Sequence, residues 1–302
     1  MAEPVLVAVP TCDRPAMAAE AVASALAQEG ADLVVVVADD GRTPLSRAAL
    51  PGDARVHVVR ATTRSPGGAR NAAVAHGEDA VLGGRARLVA FLDDDDLWLP
   101  RHLAASRAAL EAAPAAAFVH GAATTRSAQG DAPYHARDEG PLEGDLFATL
   151  LRRDVVATSS LVVRGDAFAG VGRFREDLSH GEDLDLLLRL SARGPAAFVA
   201  ASTVVHREHG GNVSHALAAK ATAQADVLAS WLPRRPFLAP AVARTLRREL
   251  ARRRRRQVRR LLAEGTVARA QVRAVAAHAW REVRSLDTLR ARLDAWLRPR
   301  AH

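Results

Sequence analysis

Phe91-Leu92-Asp93-Asp94-Asp95-Asp96-Leu97-Trp98-Leu99-Pro100 closes a short run from Arg87, apolar from Leu88 to Leu92, on four adjacent carboxylates. An apolar run of that length bounded by a sharp polar change reads as a buried strand. The acids therefore stand at a strand's carboxyl end, the side of an open α/β sheet on which ligands bind. Short strands are expected at Val5 to Val9, Leu33 to Val37, Arg55 to Val59, Ala117 to His120, Ser159 to Val163 and Ala197 to Val205. Between them lie helical patterns. The first opens at Asp13 as N-cap with Pro15 in its first turn and closes near Gly30; others span Gly68 to His76, Pro100 to Ala113, Leu146 to Arg152 and Glu182 to Ala192. This alternation predicts an α/β fold, a mixed sheet flanked by helices. Gln129 to Gly140, polar with Gly and Pro, is expected to be a loop.

The 302-residue chain is 49% hydrophobic and 25% charged, a globular composition. Its net charge of +8 is unevenly divided. Residues 1–214 carry 21 Lys and Arg against 28 Asp and Glu, a net of −7; residues 215–302 carry 21 against 6, a net of +15. With the strand pattern ending near the same place, the expected domains are 1–214 and an Arg-rich helical extension, 215–302. A single cysteine, Cys12, excludes an internal disulfide and any zinc site of several thiolates. The N-terminus shows no basic, apolar leader pattern, and no apolar run approaches a membrane span. The expected location is the cytoplasm, with contact at the inner face of the membrane at most peripheral.

Four neighbouring carboxylates repel one another and need cations or donors to compensate them. On an extended backbone Asp93 and Asp95 point to one side and can share a hard divalent ion, Mg²⁺ or Mn²⁺. Such an ion can bridge two phosphates of a nucleotide. The plainer reading, acids favoured by the dipole of a following helix, accounts for Asp96 but not for all four. Asp39-Asp40-Gly41 falls at an equivalent place and reads locally as an ordinary turn. Gly67-Gly68-Ala69-Arg70-Asn71 joins a flexible turn and a helix start to a cation, which suits an anionic ligand or a merely solvated Arg. Glu182-Asp183 opens an apolar helix as a cap or as an acid/base pair. Phosphotransfer lacks its signals: there is no G-x-x-x-x-G-K-[ST] loop, and Asp39-Asp40-Gly41-Arg42-Thr43 lacks the second Asp of a D-x-D-x-T nucleophile motif.

Pro10-Thr11-Cys12-Asp13-Arg14-Pro15, Ala38 to Gly41, Gly68 to Ala73, Phe91 to Pro100, Ser159 to Arg164, Val171 to Phe174 and Gly181 to Asp185 occur in the order and approximate spacing of family 2 glycosyltransferases. The chain resembles that family from residue 5 to about 214. The resemblance implies a GT-A fold and inverting, metal-dependent transfer of a sugar from a nucleotide-diphosphate donor to an acceptor hydroxyl. The acceptor would be a glycan, a lipid-linked saccharide or a small molecule. Carried over by position, Asp40 faces the base of the nucleotide, with Asp39 beside it and Pro10, Thr11 and Asp13 in the lining loop. Arg70 and Asn71 face the donor, as do Asp93 and Asp94; Asp93, Asp95 and His209 are implied at the metal. Asp183 is implied as general base, with Glu182 orienting a substrate. After Asp40 the chain departs from the family pattern with Gly41-Arg42-Thr43-Pro44, which leaves the base open. His209 fits the closing motif, Val204 to Ser214, better than His206. A non-catalytic nucleotide-sugar or glycan binder on the same fold is the alternative.

Arg252 to Arg256 are five consecutive arginines, so charge wraps round the expected helix. The run reads as a solvated face or as a peripheral contact with an anionic membrane. No nucleic acid is expected, because no stacking aromatics accompany the charge.

Overall fold

The computed structural model describes residues 3–134, 142–209 and 217–264. Two compact units emerge, Met1–Gly210 and Gly211–His302. Residues 135–140 of the expected polar loop, 210–214 of the closing motif and 265–302 of the extension lie outside the described residues.

In the first unit the strands are β1 (Val5–Thr11), β2 (Leu33–Asp39), β3 (Val56–Arg60), β4 (Leu88–Phe91), β5 (Leu97–Trp98), β6 (Phe118–Ser127), β7 (Gly130–Pro133), β8 (Val162–Arg164) and β9 (Ala196–Arg207). The helices are α1 (Pro15–Leu26), α2 (Pro66–His76), α3 (His102–Ala112), α4 (Phe147–Arg152), α5 (Gly165–Gly170) and α6 (Glu182–Ser191). The strands form one sheet in the order β3-β2-β1-β4-β8-β6-β9-β5, with β7 paired to β6. β3, β2, β1 and β4 run parallel, whereas β8 is antiparallel to both β4 and β6. Val5, Leu6, Val7, Ala8 and Val9 are all buried, as expected of a parallel strand covered on both faces. The chain leaves β1 outward through β2 and β3, then returns to place β4 on the other side of β1. That reversal is a topological switch point, and it opens a crevice beyond the carboxyl ends of β1 and β4. Thr11 ends one of these strands and the aspartate run follows the other.

Three expectations need correction. Asp13 does not cap α1: Arg14 is the N-cap residue and no side chain caps it. Asp13 is left-handed (φ 55°), and its Oδ1 instead accepts from the backbone N of Arg42 at 2.8 Å and of Thr43 at 3.4 Å. Part of the expected loop is strand, because β7 folds back on the lengthened β6 in a hairpin. Asp96 does not open the next helix; β5 intervenes, and α3 starts only at His102 behind Arg101.

The second unit contains α7 (Leu217–Ser230), a 3-10 turn (Leu232–Phe237) and the 25-residue α8 (Pro240–Glu264). α7 and α8 pack on each other. The arginine run is not solvated all round. Arg253 and Arg254 are buried, and Arg254 donates to Asp226 of α7 at 2.7 Å and to Gln257 at 3.1 Å. No described helix is long and apolar enough to cross a membrane.

Candidate active site

The aspartate run turns immediately after β4, where Asp96 N bonds to Asp93 O at 3.1 Å. The tight turn aims the four side chains at different partners. Asp94 is buried, accepting from Thr11 Oγ1 at 2.6 Å and lying 3.3 Å from Arg14. Burial raises its carboxyl to about 6 against the opposing pull of Thr11 and Arg14. Asp96, also buried, accepts from Ser159 Oγ at 2.6 Å, from the Arg207 backbone N at 3.1 Å and from His206 Nδ1 at 3.1 Å. Burial lowers the His206 pKa, but the hydrogen bond and charge of Asp96 outweigh it and hold the imidazole above its ordinary value. Both oxygens of Asp94 and Asp96 are therefore engaged.

Asp93 and Asp95 differ. Asp93 meets Arg70 through Oδ1 at 2.5 Å, and burial raises its carboxyl despite that cation. Asp95 Oδ2 takes Arg14 at 2.8 Å and His209 Nε2 at 3.3 Å. Asp93 Oδ2 and Asp95 Oδ1 accept no hydrogen bond among the described residues. Asp93, Asp95 and Asp96 each bring a carboxylate oxygen within 4.8 Å of the others. An all-oxygen set with two free carboxylate oxygens fits a hard divalent ion such as Mg²⁺ or Mn²⁺. His206 and His209 thus both reach the run, through Asp96 and Asp95 respectively.

Arg70 ties this turn to α6. It is buried on α2, donates to Asp93 and, at 2.9 Å, to Glu182 Oε1, and lies 5.3 Å from the centre of the Phe174 ring. Glu182 and Asp183 occupy the first turn of α6 behind Gly181, whose φ of +74° favours glycine. Asp183 Oδ1 accepts from Leu184 N at 2.7 Å. Tyr134 links the neighbourhood electrostatically: burial first, then Asp154, Asp183, Asp96 and Asp93, push its phenol well above the ordinary value. Its ring meets His206 edge-on at 5.2 Å.

At the end of β2 the two aspartates divide. Asp39 is saturated by Gly41 N at 2.9 Å, Leu45 N at 2.8 Å and Arg60 at 2.5 Å, and so shapes the loop. Burial pulls its carboxyl upward, but those backbone donors and Arg60 hold it below the ordinary value. The Asp40 carboxylate accepts no hydrogen bond among the described residues, while its backbone pairs with the loop that carries Pro10, Thr11 and Cys12. Asn71 is committed to protein: it donates to Phe174 O and Glu176 and accepts from Phe174 N. It anchors the segment before α6. Sequence reading passed over Arg14, Arg60, Tyr134, Ser159 and Arg207; Arg14, Ser159 and Arg207 stood within family motifs, but nothing local marked their roles.

A model of the family described as glycosyl transferase family 2 matches residues 6–163. The succinoglycan biosynthesis protein ExoO of Rhizobium meliloti (strain 1021) is 44% identical over 87 residues, 28% of this chain and 23% of that protein. The match thus spans under a quarter of that relative's length. S. aureus TarS 1-349 in complex with UDP-GlcNAc superposes with a TM-score of 0.56 at 14% identity, covering 96% of this chain and 92% of that one. Mannosyltransferase PcManGT from Pyrobaculum calidifontis, in complex with GDP-Man and Mn²⁺, gives 0.57 at 18% identity, covering 98% and 86%. The fold is GT-A.

Proposed function

This chain belongs to glycosyl transferase family 2, and on that premise we propose that it is an inverting, metal-dependent enzyme passing a sugar from a nucleotide-diphosphate donor to a saccharide hydroxyl. The observation that carries the reading is the pair of open oxygens, Asp93 Oδ2 and Asp95 Oδ1, in a run whose other carboxylate oxygens are bonded to protein. The open Asp40 carboxylate beyond β2 reads the base, within a loop fixed by Asp13 and Asp39. A Mg²⁺ or Mn²⁺ ion held by Asp93 and Asp95, with His209 and Asp96 in reach, would neutralise the leaving diphosphate. Arg70 holds Asp93 and Glu182 in register beside it.

Asp183 takes the acceptor proton as the acceptor oxygen bonds to the anomeric carbon. The bond from that carbon to the diphosphate breaks on the opposite face, so configuration inverts and a nucleoside diphosphate leaves. The α6 N-terminus favours the ionised carboxylate needed in a base. UDP- and GDP-sugars are the first donors to consider, given the ligands of TarS and PcManGT. The named role of ExoO supports a polysaccharide of the cell envelope or its surroundings as the acceptor class.

The test is incubation with a panel of nucleotide sugars and Mn²⁺, reading metal-dependent release of nucleoside diphosphate and, with an accepted saccharide, anomeric configuration by NMR. Failure to bind any nucleotide sugar would sink the proposal. Tight binding with no turnover on any acceptor would instead support a glycan or nucleotide-sugar binder.

A further inference from the structure

The packing of α8 on α7 sorts its ten arginines into two kinds. Arg253 and Arg254 turn inward with Leu246, Glu249, Leu250, Gln257 and Val258, all buried. Arg244, Arg247, Arg248, Arg252, Arg256, Arg259 and Arg260 are exposed and Arg255 partly so. Of these, Arg244, Arg248, Arg252, Arg255 and Arg259, spaced four, four, three and four residues apart, share one helix face. Over fifteen residues that face extends about 22 Å. Among the described residues no exposed acid lies between them; the buried Glu249 sits 3.6 Å from both Arg248 and Arg252. A cationic face of that length complements a flat anionic surface better than a small ligand.

Phe237, at the end of the 3-10 turn, is 90% exposed, one of only two large exposed hydrophobics among the described residues. An aromatic ring left in water beside a cationic helix is the pairing used at membrane interfaces, where the ring enters the headgroup boundary and the arginines meet anionic headgroups. Nucleic acid fits less well, since α8 itself carries no aromatic residue and the single ring of Phe237 offers no row on which successive bases could stack.

We infer that the exposed arginine face of α8, with Phe237 as an apolar anchor, docks the protein reversibly on an anionic lipid surface. The inference rests on this helix and its preceding turn alone, so it stands or falls independently of the transfer reaction. Docking of this kind is electrostatic with a small apolar component, and salt should reverse most of it.

The experiment is co-sedimentation of the full chain with vesicles of phosphatidylcholine alone or with about 30% phosphatidylserine added. Binding is expected only to the anionic vesicles and should be lost near 1 M salt, where the Debye length falls to about 3 Å. The triple variant Arg248→Gln, Arg252→Gln, Arg259→Gln should weaken partitioning about a hundredfold. Phe237→Ser should weaken it severalfold, with the salt sensitivity unchanged. The substitutions are on exposed positions, and an unchanged circular dichroism melt would show that the helices persist. Equal binding to neutral vesicles would overturn the inference. So would undiminished binding of the triple variant, or displacement from vesicles by duplex DNA at matched charge concentration.

Discussion

Arg70 NH2 lies 2.5 Å from Asp93 Oδ1, while its other terminal nitrogen holds Glu182 at 2.9 Å, so one buried cation joins the turn after β4 to the start of α6. Two elements far apart in sequence depend on one guanidinium for their spacing. Removing it leaves two carboxylates facing each other without compensation, which typically costs about 3–5 kcal/mol. Arg70→Met should destabilise the fold by that order, read as a lower urea midpoint at unchanged m, and abolish transfer. Arg70→Lys keeps the charge but cannot fork to both acids, so it should recover folding more than activity. If Arg70→Lys matched the parent in kcat, the spacing role would be wrong.

Holding the donor and activating the acceptor fall to different carboxylates, and kinetics separates them. Asp183→Asn should reduce kcat by roughly 10²- to 10⁴-fold, the usual contribution of a general base, while donor affinity stays within a few fold. Asp40→Asn should do the reverse, weakening nucleotide binding with a smaller effect on kcat at saturating donor. Calorimetric titration of donor beside steady-state rates gives both quantities. A large loss of donor affinity in Asp183→Asn would argue against its role as base.

The division between those carboxylates was only half legible in the sequence. The strand leading into Asp93 to Asp96 could be read from its apolar run and its abrupt end, and the order of short motifs gave the family. What periodicity cannot carry is which side chain meets which across the fold. Thr11 and Asp94 are 83 residues apart, and Asp96 and His206 are 110 apart. Likewise Asp13 looks like an N-cap because Pro15 follows it, yet its left-handed backbone turns the carboxylate to the Arg42 loop. Asn71 reads as a ligand residue beside Arg70, but three hydrogen bonds to the Phe174 segment occupy it. Local sequence marks a candidate; only pairing across the sheet says whether its polar atoms remain available.

Available oxygens predict how metal and nucleotide stabilise the protein. A ligand bound only by the folded state stabilises it by mass action, about 2.7 kcal/mol at a hundred times its Kd. Mn²⁺ with UDP or GDP should therefore raise Tm by several degrees, and a chelator should reverse the shift. Asp95→Asn should lose most of that shift, since it replaces one of the two open oxygens. Asp94→Asn, whose side chain is already bonded to Thr11 and Arg14, should retain more of it. Equal shifts in the two variants would contradict the assignment of Asp93 and Asp95 as the metal pair.

His102 supplies a pH dependence away from the acidic run. It starts α3 buried, with Nδ1 2.9 Å from Thr203 Oγ1 and its ring 4.6 Å from that of Trp98. Burial drops its pKa to about 3 from an ordinary 6.5. With the folded value depressed, the unfolded chain takes up the proton first as pH falls. The stability tied to the neutral imidazole is therefore present above about pH 6.5 and is lost progressively toward pH 3, at up to roughly 1.4 kcal/mol per pH unit. His102→Gln removes the titration while keeping a polar group for Thr203. Urea midpoints of the two proteins, measured in chelator from pH 7.5 to 4, should converge as the pH falls, because only the parent pays for a proton it cannot accept when folded. Curves that stay parallel would mean that His102 is protonated in the native state or opens to solvent at little cost.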